Sequence, residues 1–393
     1  VCDRLILVTG SELVMDGLIL HKAFIYRLYP NKGQLNKLDE LLNTARDLYN
    51  TALQERRDAY QMQGIALNYY DQCKELPGLK KVFPEVALLP SQAAQDVIKR
   101  LDKSFKTFFR RTKNGEKAGY PRFKGRNRFN SITFPTYGCG IKLRESRLYI
   151  QNVGLIRIKV HRPLKGGINT VSIKREATKW YAVFSNTVEC EPLPVSSKQI
   201  GIDVGLEYFT ATSDGEVVDN PRFLREAEAT LRKAQRRVSR RKKGSSNRHK
   251  ATKLLAHHHL RVSNQRKDFA HQLSRKIVDT YGFIAVEDLQ IKNMVRNPHL
   301  AKSISDASWG MFLGFVAYKA EYAGRQFTRV VPNGTSQICS GCGSVVPKSL
   351  SVRVHKCPDC GISLHRDLNA ARNILALGRS VWAVTCDSSQ CVS

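Results

Sequence analysis

The chain has 393 residues, enough for two or three domains with sizeable cores, and 42% of them are hydrophobic, so most of it is expected to fold. With 64 Lys and Arg against 34 Asp and Glu the net charge is +30, which calls for a polyanionic partner, nucleic acid before membrane surface. No apolar run approaches the roughly 18–20 residues that span a bilayer, so a helical membrane protein is excluded; the cysteines scattered outside one cluster suit a reducing, cytoplasmic setting.

Residues 1–20 lack the basic region and small-residue cleavage site of a secretory signal, and read as a disordered leader with Met15 a candidate start. From Lys22, K-A-F-I-Y-R-L-Y-P alternates apolar and polar residues as a half-buried strand does, and Pro30-Asn31 ends it. From Asn31 to about Gln63 apolar residues recur at helical spacing (Leu38, Leu41, Leu42, Ala45, Leu48, Leu53), which predicts a helical hairpin. A loop rich in Pro and Gly is expected through Pro90. A second helix follows, with Ser91 as candidate N-cap and Ala94, Val97, Ile98, Leu101, Phe105 and Phe108 as its apolar face.

Thr112–Asn130 is basic with interleaved aromatics. Arg122 and Lys124 can pair with phosphates while Tyr120, Phe123 or Phe129 stack on bases. The alternative is a solvated loop with its aromatics tucked inward. From Ser131 to about Val188 short strands separated by Gly and Asn predict a small β-barrel or sandwich. The first strand can join it, leaving the helices between as an insertion.

Residues 191–198 read as a linker. Next comes an apolar strand bearing Asp203, a second strand at Tyr208–Thr212, an Asp214-Gly215 turn and a third short strand. An acid in an apolar strand is costly to bury unless a cation compensates it; the alternative is an Asp turning a loop before Gly205. Pro221–Thr280 is a basic region whose Leu231, Ala234, Val238, Phe269, Leu273 and Ile277 keep a helical stripe. It predicts a packed helix pair presenting Arg236, Arg237, Arg240, Arg241, Lys242 and Lys243 to phosphates. Y-G-F-I-A-V-E-D is a buried strand ending in Glu287 and Asp288, Ser305 to Ala323 an amphipathic helix, and residues 325–333 a strand. Beyond Gly378 no pattern is visible and disorder is expected.

Two C-x-x-C knuckles, Cys339/Cys342 and Cys357/Cys360, are separated by residues 343–356, and each is followed by Gly. Four thiolates so placed form a closed, structural tetrahedral zinc site, with His355 and His365 as neighbours rather than ligands. Asp367 follows just beyond the last cysteine. Asp203, Glu287 and Asp367, each on a core element and separated by insertions, follow the plan of the RNase H-like nucleases. Three converging carboxylates there hold two Mg²⁺ ions, because Mg²⁺ is hard and prefers oxygen.

The passages K-A-F-I-Y-R-L-Y-P-N, L-L-P-S-Q-A-A-Q-D-V-I-K-R-L-D, G-Y-P-R-F-K, G-I-D-V-G-L, S-R-R-K-K-G-S, I-A-V-E-D-L, S-I-S-D-A-S-W-G, the four-cysteine ribbon and R-D-L-N-A-A-R-N-I run collinearly from Lys22 to about Gly378. In this order the sequence resembles the TnpB family, RNA-guided DNA nucleases encoded by bacterial insertion sequences and akin to type V CRISPR effectors. The resemblance implies a multidomain α+β protein: a wedge β-barrel at 21–33 and 120–192, a helical recognition domain at 34–119, and an RNase H-like (RuvC) nuclease domain at 193–336 and 362–378. A zinc ribbon is inserted at 337–361, and 379–393 forms a disordered tail. It implies Asp203, Glu287 and Asp367 as catalytic carboxylates, with Glu287 preferred over Asp288 because the family places its acid directly after I-A-V. It also implies one structural zinc, a guide RNA from the transposon end, double-stranded target DNA and one protein monomer per guide in the bacterial or archaeal cytoplasm. Tyr69, Ser91, Gln92 and Gln95 are the expected readers of a short transposon-adjacent motif. Two alternatives stand beside this reading. A nuclease-dead RNA-guided regulator would have lost an acid, whereas all three are present; a strand-joining transposase would not carry this ribbon before its last acid.

Overall fold

The computed structural model describes residues 18–126, 128–190, 192–349 and 352–389. The predicted leader falls almost wholly outside the described residues, as does the end of the tail at 390–393. The chain divides into two compact units, one over Ile19–Glu189 and one over the residues from Cys190 onward.

The first unit opens with strand β1 (Leu18–Tyr29), in which Phe24, Tyr26 and Leu28 are buried and alternate with exposed positions. Helices α1 (Lys32–Gln63), α2 (Tyr69–Val82), α3 (Pro84–Ala87) and α4 (Ser91–Lys113) follow. Six strands complete it: β2 (Ser131–Phe134), β3 (Ile141–Arg144), β4 (Arg147–Ile150), β5 (Gly154–Lys159), β6 (Gly167–Glu176) and β7 (Lys179–Cys190). They form one seven-stranded sheet in the order β2-β6-β7-β1-β5-β4-β3, so β1 sits inside the sheet made by the six strands that follow the helices.

Three helical expectations are corrected here. The predicted hairpin over 31–63 is one unbroken helix, because its leucine stripe runs through without Gly or Pro until Gly64, whose φ of 69° ends it. Asn31 and Gln34 close its other end in a reciprocal capping box. The predicted loop before Pro90 holds α2 and α3; a second capping box, Asn68 with Asp71, starts α2, and Gln72 and Leu76 anchor it inward despite Pro77. Ser91 is not the cap of α4. The Pro90 carbonyl accepts from Ala94 at 3.0 Å, so Pro90 holds the cap position and Ser91 is the first helical residue.

The second unit is built on a five-stranded sheet. Its strands are β8 (Gln199–Val204), β9 (Tyr208–Thr212), β10 (Val217–Asp219), β11 (Phe283–Glu287) and β12 (Gln326–Val330), in the order β10-β9-β8-β11-β12. The first three form an antiparallel meander, and β11 and β12 add in parallel beside β8. Helices α5 (Phe223–Ser239) and α6 (Ser246–Thr280) pack on each other as expected of the basic stretch. After α7 (Ile291–Met294) come α8 (Pro298–Ala307) and α9 (Trp309–Tyr322). These replace the single helix predicted over 305–323. Ser308 takes a left-handed conformation (φ 58°) and breaks the run, leaving the Asp306 carboxylate to accept from the Leu224 and Arg225 amides at the start of α5 and from Arg266.

The sheet has two different faces. Ile200, Ile202, Ile284 and Val286 point into a core with Val278 of α6 and Phe312, Leu313 and Val316 of α9. The alternate residues Gly201, Phe283 and Ala285 face α10 (Arg366–Ser389). This helix overturns the disorder expected beyond Gly378: it runs on to Ser389, with Trp382 edge-on to Phe283 at 6.3 Å supplying the apolar contact a disordered tail would lack.

Gly201 lets α10 approach so closely that a Cβ there would lie 2.1 Å from the Ala371 carbonyl oxygen. We expect Gly201→Ala to force α10 off the sheet and destabilise the protein by about 1–3 kcal/mol, read as a lower midpoint in urea.

Candidate functional site

The parallel register places two of the predicted acids side by side. Val286 pairs with Ile202, so Glu287, the last residue of β11, and Asp203 on β8 are the next pair along adjacent strands roughly 4.8 Å apart. Side chains alternate along a strand, so both carboxylates lie on the same face as Gly201 and Ala285, the face α10 covers. Asp367 is the second residue of α10, one turn before Ala371, and its Oδ2 lies 3.9 Å from where a Cβ on Gly205 would be. The same packing that seats α10 on Gly201 thus brings the third acid to the end of β8.

The electrostatics agree with that placement. Burial raises the Asp203 carboxyl well above its ordinary 3.8, and the neighbouring charges of Glu287 and Asp367 raise it further against the pull of Arg366. Burial also raises Glu287, opposed by the Thr335 hydroxyl, which donates to its Oε1 at 2.5 Å. Asp288 points outward and meets Arg329 at 3.3 Å. His365 accepts from the Asp367 amide at 3.3 Å and stands edge-on to Tyr208. Clustered oxygen donors whose mutual repulsion Arg366 offsets only in part fit a hard divalent cation.

The four cysteines converge. Their sulfurs all lie within 4.8 Å of one another, with Cys339 to Cys360 at 3.6 Å and Cys342 to Cys357 at 3.5 Å. A tetrahedron of Zn–S bonds of about 2.3 Å has edges near 3.8 Å, so the set fits zinc. Both knuckles make the same turn: the Gly343 amide donates to Cys339 and the Gly361 amide to Cys357, at φ values of 81° and 72°. Strands β13 (Val354–Lys356) and β14 (Ser363–His365) form the hairpin that leads into α10. Among the described residues this is the one such gathering of three or more possible metal ligands.

Two residues that sequence reasoning passed over tie these features together. Asn369 and Asn373, one turn apart on α10, are buried; Asn369 donates to the Ile338 carbonyl and accepts from the Ser340 amide, and Asn373 donates to the carbonyls of Thr335 and Ile338. Their i, i+4 spacing in D-L-N-A-A-R-N was the available signal. The root of the ribbon is therefore clamped to the helix that carries Asp367, while Thr335 in the same root holds Glu287.

The remaining candidates are spread out. Arg236, Arg237, Arg240, Arg241, Lys242 and Lys243 are all exposed, in the last turn of α5 and the connection to α6. Arg122 is exposed, whereas Lys124 holds its ammonium over the Tyr49 ring at 5.4 Å. Phe129 is buried between Tyr49 and Arg100 and is not available for stacking. Gln95 is exposed on α4, Gln92 accepts from the Thr136 amide at 3.2 Å, and Ser91 accepts from Lys80. Tyr69 opens α2, its phenol pushed up to about 12 by burial first, then by Cys73, with Asp96 of α4 contributing.

Fold and site together define a multidomain, mixed α/β protein with an acid-bearing five-stranded sheet and a four-cysteine zinc-type ribbon beside it. Three family models match: "Probable transposase" over residues 171–298, "Cas12f1-like, TNB domain" over 309–374, and "Helix-turn-helix domain" over 15–64, where this chain places β1 and the single helix α1. A "Putative RNA-guided DNA endonuclease" of Streptomyces pristinaespiralis is 34% identical over 92% of this chain and 90% of its own length. The "Putative RNA-guided DNA endonuclease InsQ" of Escherichia coli (strain K12) is 28% identical over 92% and 93%. The chain belongs to the TnpB family. In fold it is similar to the solved "mini-RNA-guided endonuclease CRISPR-Cas_phi3", with a TM-score of 0.50 at 9% identity over 94% of this chain and 93% of that one. Among the described residues no helix is long and apolar enough to cross a membrane.

Proposed function

We propose that this protein is an RNA-guided DNA endonuclease that hydrolyses phosphodiester bonds with Mg²⁺ held by Asp203, Glu287 and Asp367. The observation that carries the reading is the adjacency of Asp203 and Glu287 in parallel register on the face that α10 covers, with Asp367 at the start of that helix. The strand order, a three-stranded meander followed by two parallel strands, supports an RNase H-like (RuvC) domain, and the seven-stranded sheet supports a wedge barrel. The names of the relatives support a guide RNA and a DNA target.

Asp203, Glu287 and Asp367 would hold the Mg²⁺ ions, which would supply activation of a water and charge neutralisation at the leaving oxygen. The chain's own part is positional. Asp203 and Glu287 offer oxygens from rigid adjacent strands, Thr335 fixes the Glu287 carboxylate, and Arg366 keeps positive charge near Asp203. Exposed arginines and lysines at 236–243 hold backbone phosphates without reading sequence, which is left to base pairing by a transposon-derived guide. Tyr69, Ser91, Gln92 and Gln95 are proposed to read the transposon-adjacent motif, and one structural zinc holds the ribbon. One protein monomer acts with each guide, in the bacterial or archaeal cytoplasm.

Purification from its host, sequencing of co-purified RNA and cutting of a matching duplex in Mg²⁺ test the reading; a chain that carries no RNA and cuts nothing overturns it. The raised Asp203 carboxyl gives a second check. An acid whose folded pKa is raised holds its proton longer in the folded state, so stability is lost as pH climbs from 3.8 to the raised value and stays lost above it. Asp203→Asn removes that cost. It is expected to melt a few degrees above wild type at pH 8 without metal and close to it near pH 4, with millimolar Mg²⁺ narrowing the gap at pH 8.

A further inference from the structure

We propose that the cleft between α1 and the Tyr120–Phe123 segment is a binding site for one unpaired nucleotide, with its base against Phe123 and Tyr120 and its phosphate on Arg57 and Arg122. The cleft encloses about 350 Å³ and is lined by Leu53, Arg57, Tyr120, Pro121, Arg122 and Phe123. That size lies in the range of small-ligand sites, about 300–1,000 Å³.

Its composition selects the ligand. Leu53 is buried and gives an apolar floor, whereas Tyr120 and Phe123 keep 46% and 47% of their surface open, too much for rings whose work is core packing. Tyr120 is nonetheless rigid, edge-on to Phe105 at 5.5 Å and to Phe108 at 5.4 Å. A ring held in place by its neighbours while nearly half of its surface stays open offers a surface for base stacking. Arg57 and Arg122 are exposed, and among the described residues neither guanidinium has a carboxylate partner, although the protein pairs many of its other arginines. No acid lines the cleft. Flat apolar faces beside two uncommitted guanidiniums match a base with its phosphate; an acidic peptide would use the charges and leave the rings idle. Pro121 between Tyr120 and Arg122 fixes one backbone dihedral of the segment that presents them.

The proposal deepens the nucleic-acid reading of the protein and rests on it for the supply of an unpaired strand, but its test does not depend on cutting. The full chain, stripped of co-purified nucleic acid in high salt, is titrated with short single-stranded RNA and DNA oligonucleotides, each with and without one abasic position. Phe123→Ala is the main variant, since Tyr120 supports neighbouring rings and its loss could disturb them. Stacking on one base is worth about 1–3 kcal/mol, so Phe123→Ala is expected to weaken binding about 5- to 150-fold and to abolish the preference for the intact over the abasic strand. Arg57→Gln and Arg122→Gln are each expected to lower the salt slope of binding by about 0.7. An effect seen with RNA alone assigns the site to an unpaired stretch of guide, with DNA alone to a displaced strand, and with both to either. Wild-type affinity and undiminished abasic discrimination in Phe123→Ala, with both oligonucleotides, overturns the proposal. Failure of duplex cutting in a parallel assay, with oligonucleotide binding intact, would instead count against the endonuclease reading.

Discussion

Asp203→Ala and Asp367→Ala are each expected to reduce Mg²⁺-dependent cutting of a guide-matched duplex by about three orders of magnitude or more, while guide-RNA binding stays within about twofold of wild type. Loss of one oxygen ligand from a site of three removes charge stabilisation worth several kcal/mol, and about 4 kcal/mol suffices for that drop. RNA binding is spared because neither carboxylate belongs to a basic surface, and because removing Asp203 also relieves the burial and repulsion that raise its carboxyl. Gel assays of cutting and filter binding of labelled guide, run on one preparation, separate the two readouts. Full cutting by either variant would sink the assignment. A parallel loss of RNA binding would mean that the acids serve the fold rather than the chemistry.

Cys357→Ser is expected to release the zinc, unfold the ribbon and lower cutting about tenfold or more without emptying the guide. A four-thiolate zinc in so short a segment supplies folding free energy on the order of 10 kcal/mol, and a hydroxyl does not replace a thiolate on zinc. The effect reaches the acids along a short path. The ribbon's root is clamped by Asn369 and Asn373, and Thr335 in that root orients Glu287. Metal analysis should give one zinc per wild-type chain and none in the variant, with X-ray absorption reporting four sulfurs. A metal-free variant with wild-type cutting would show that the ribbon is dispensable for chemistry.

The sequence made the strands more legible than the helices. Period-two alternation in Phe24-Tyr26-Leu28 and in S-I-T-F and R-L-Y-I names both the element and its buried face, because one face of each strand meets a core. Several of the helical errors share one physical cause: caps decide where helices start and stop, and caps are read from side-chain geometry. Asn68 looked like a loop residue until Asp71 reciprocated its bond, and Ser308 looked helical until its backbone turned left-handed. In the site, the residue types of Asp203, Glu287 and Asp367 were visible, but their convergence depends on the Val286–Ile202 register and on Gly201 admitting α10, neither of which a single strand pattern reveals. The two asparagines on α10 were hidden for a related reason. Their partners are carbonyls and an amide of the ribbon root, and backbone groups leave no mark in a sequence.

The position of β1 also has a consequence for how the protein is made. It leaves the ribosome before the other described strands, yet it sits between β7 and β5, and Arg27 pairs with Lys159, about 130 residues later. At about 5–20 residues per second, roughly 7–25 s pass before that partner is synthesised. During that interval α1 and α4, whose contacts lie closer in the chain, can form, while Phe24, Tyr26 and Leu28 stand exposed on an unpaired strand. Nascent chains halted between Lys113 and Gly154 should accordingly be the aggregation-prone ones, since β1, made before its partners β5 and β7, is among the last of the sheet's strands to find its place.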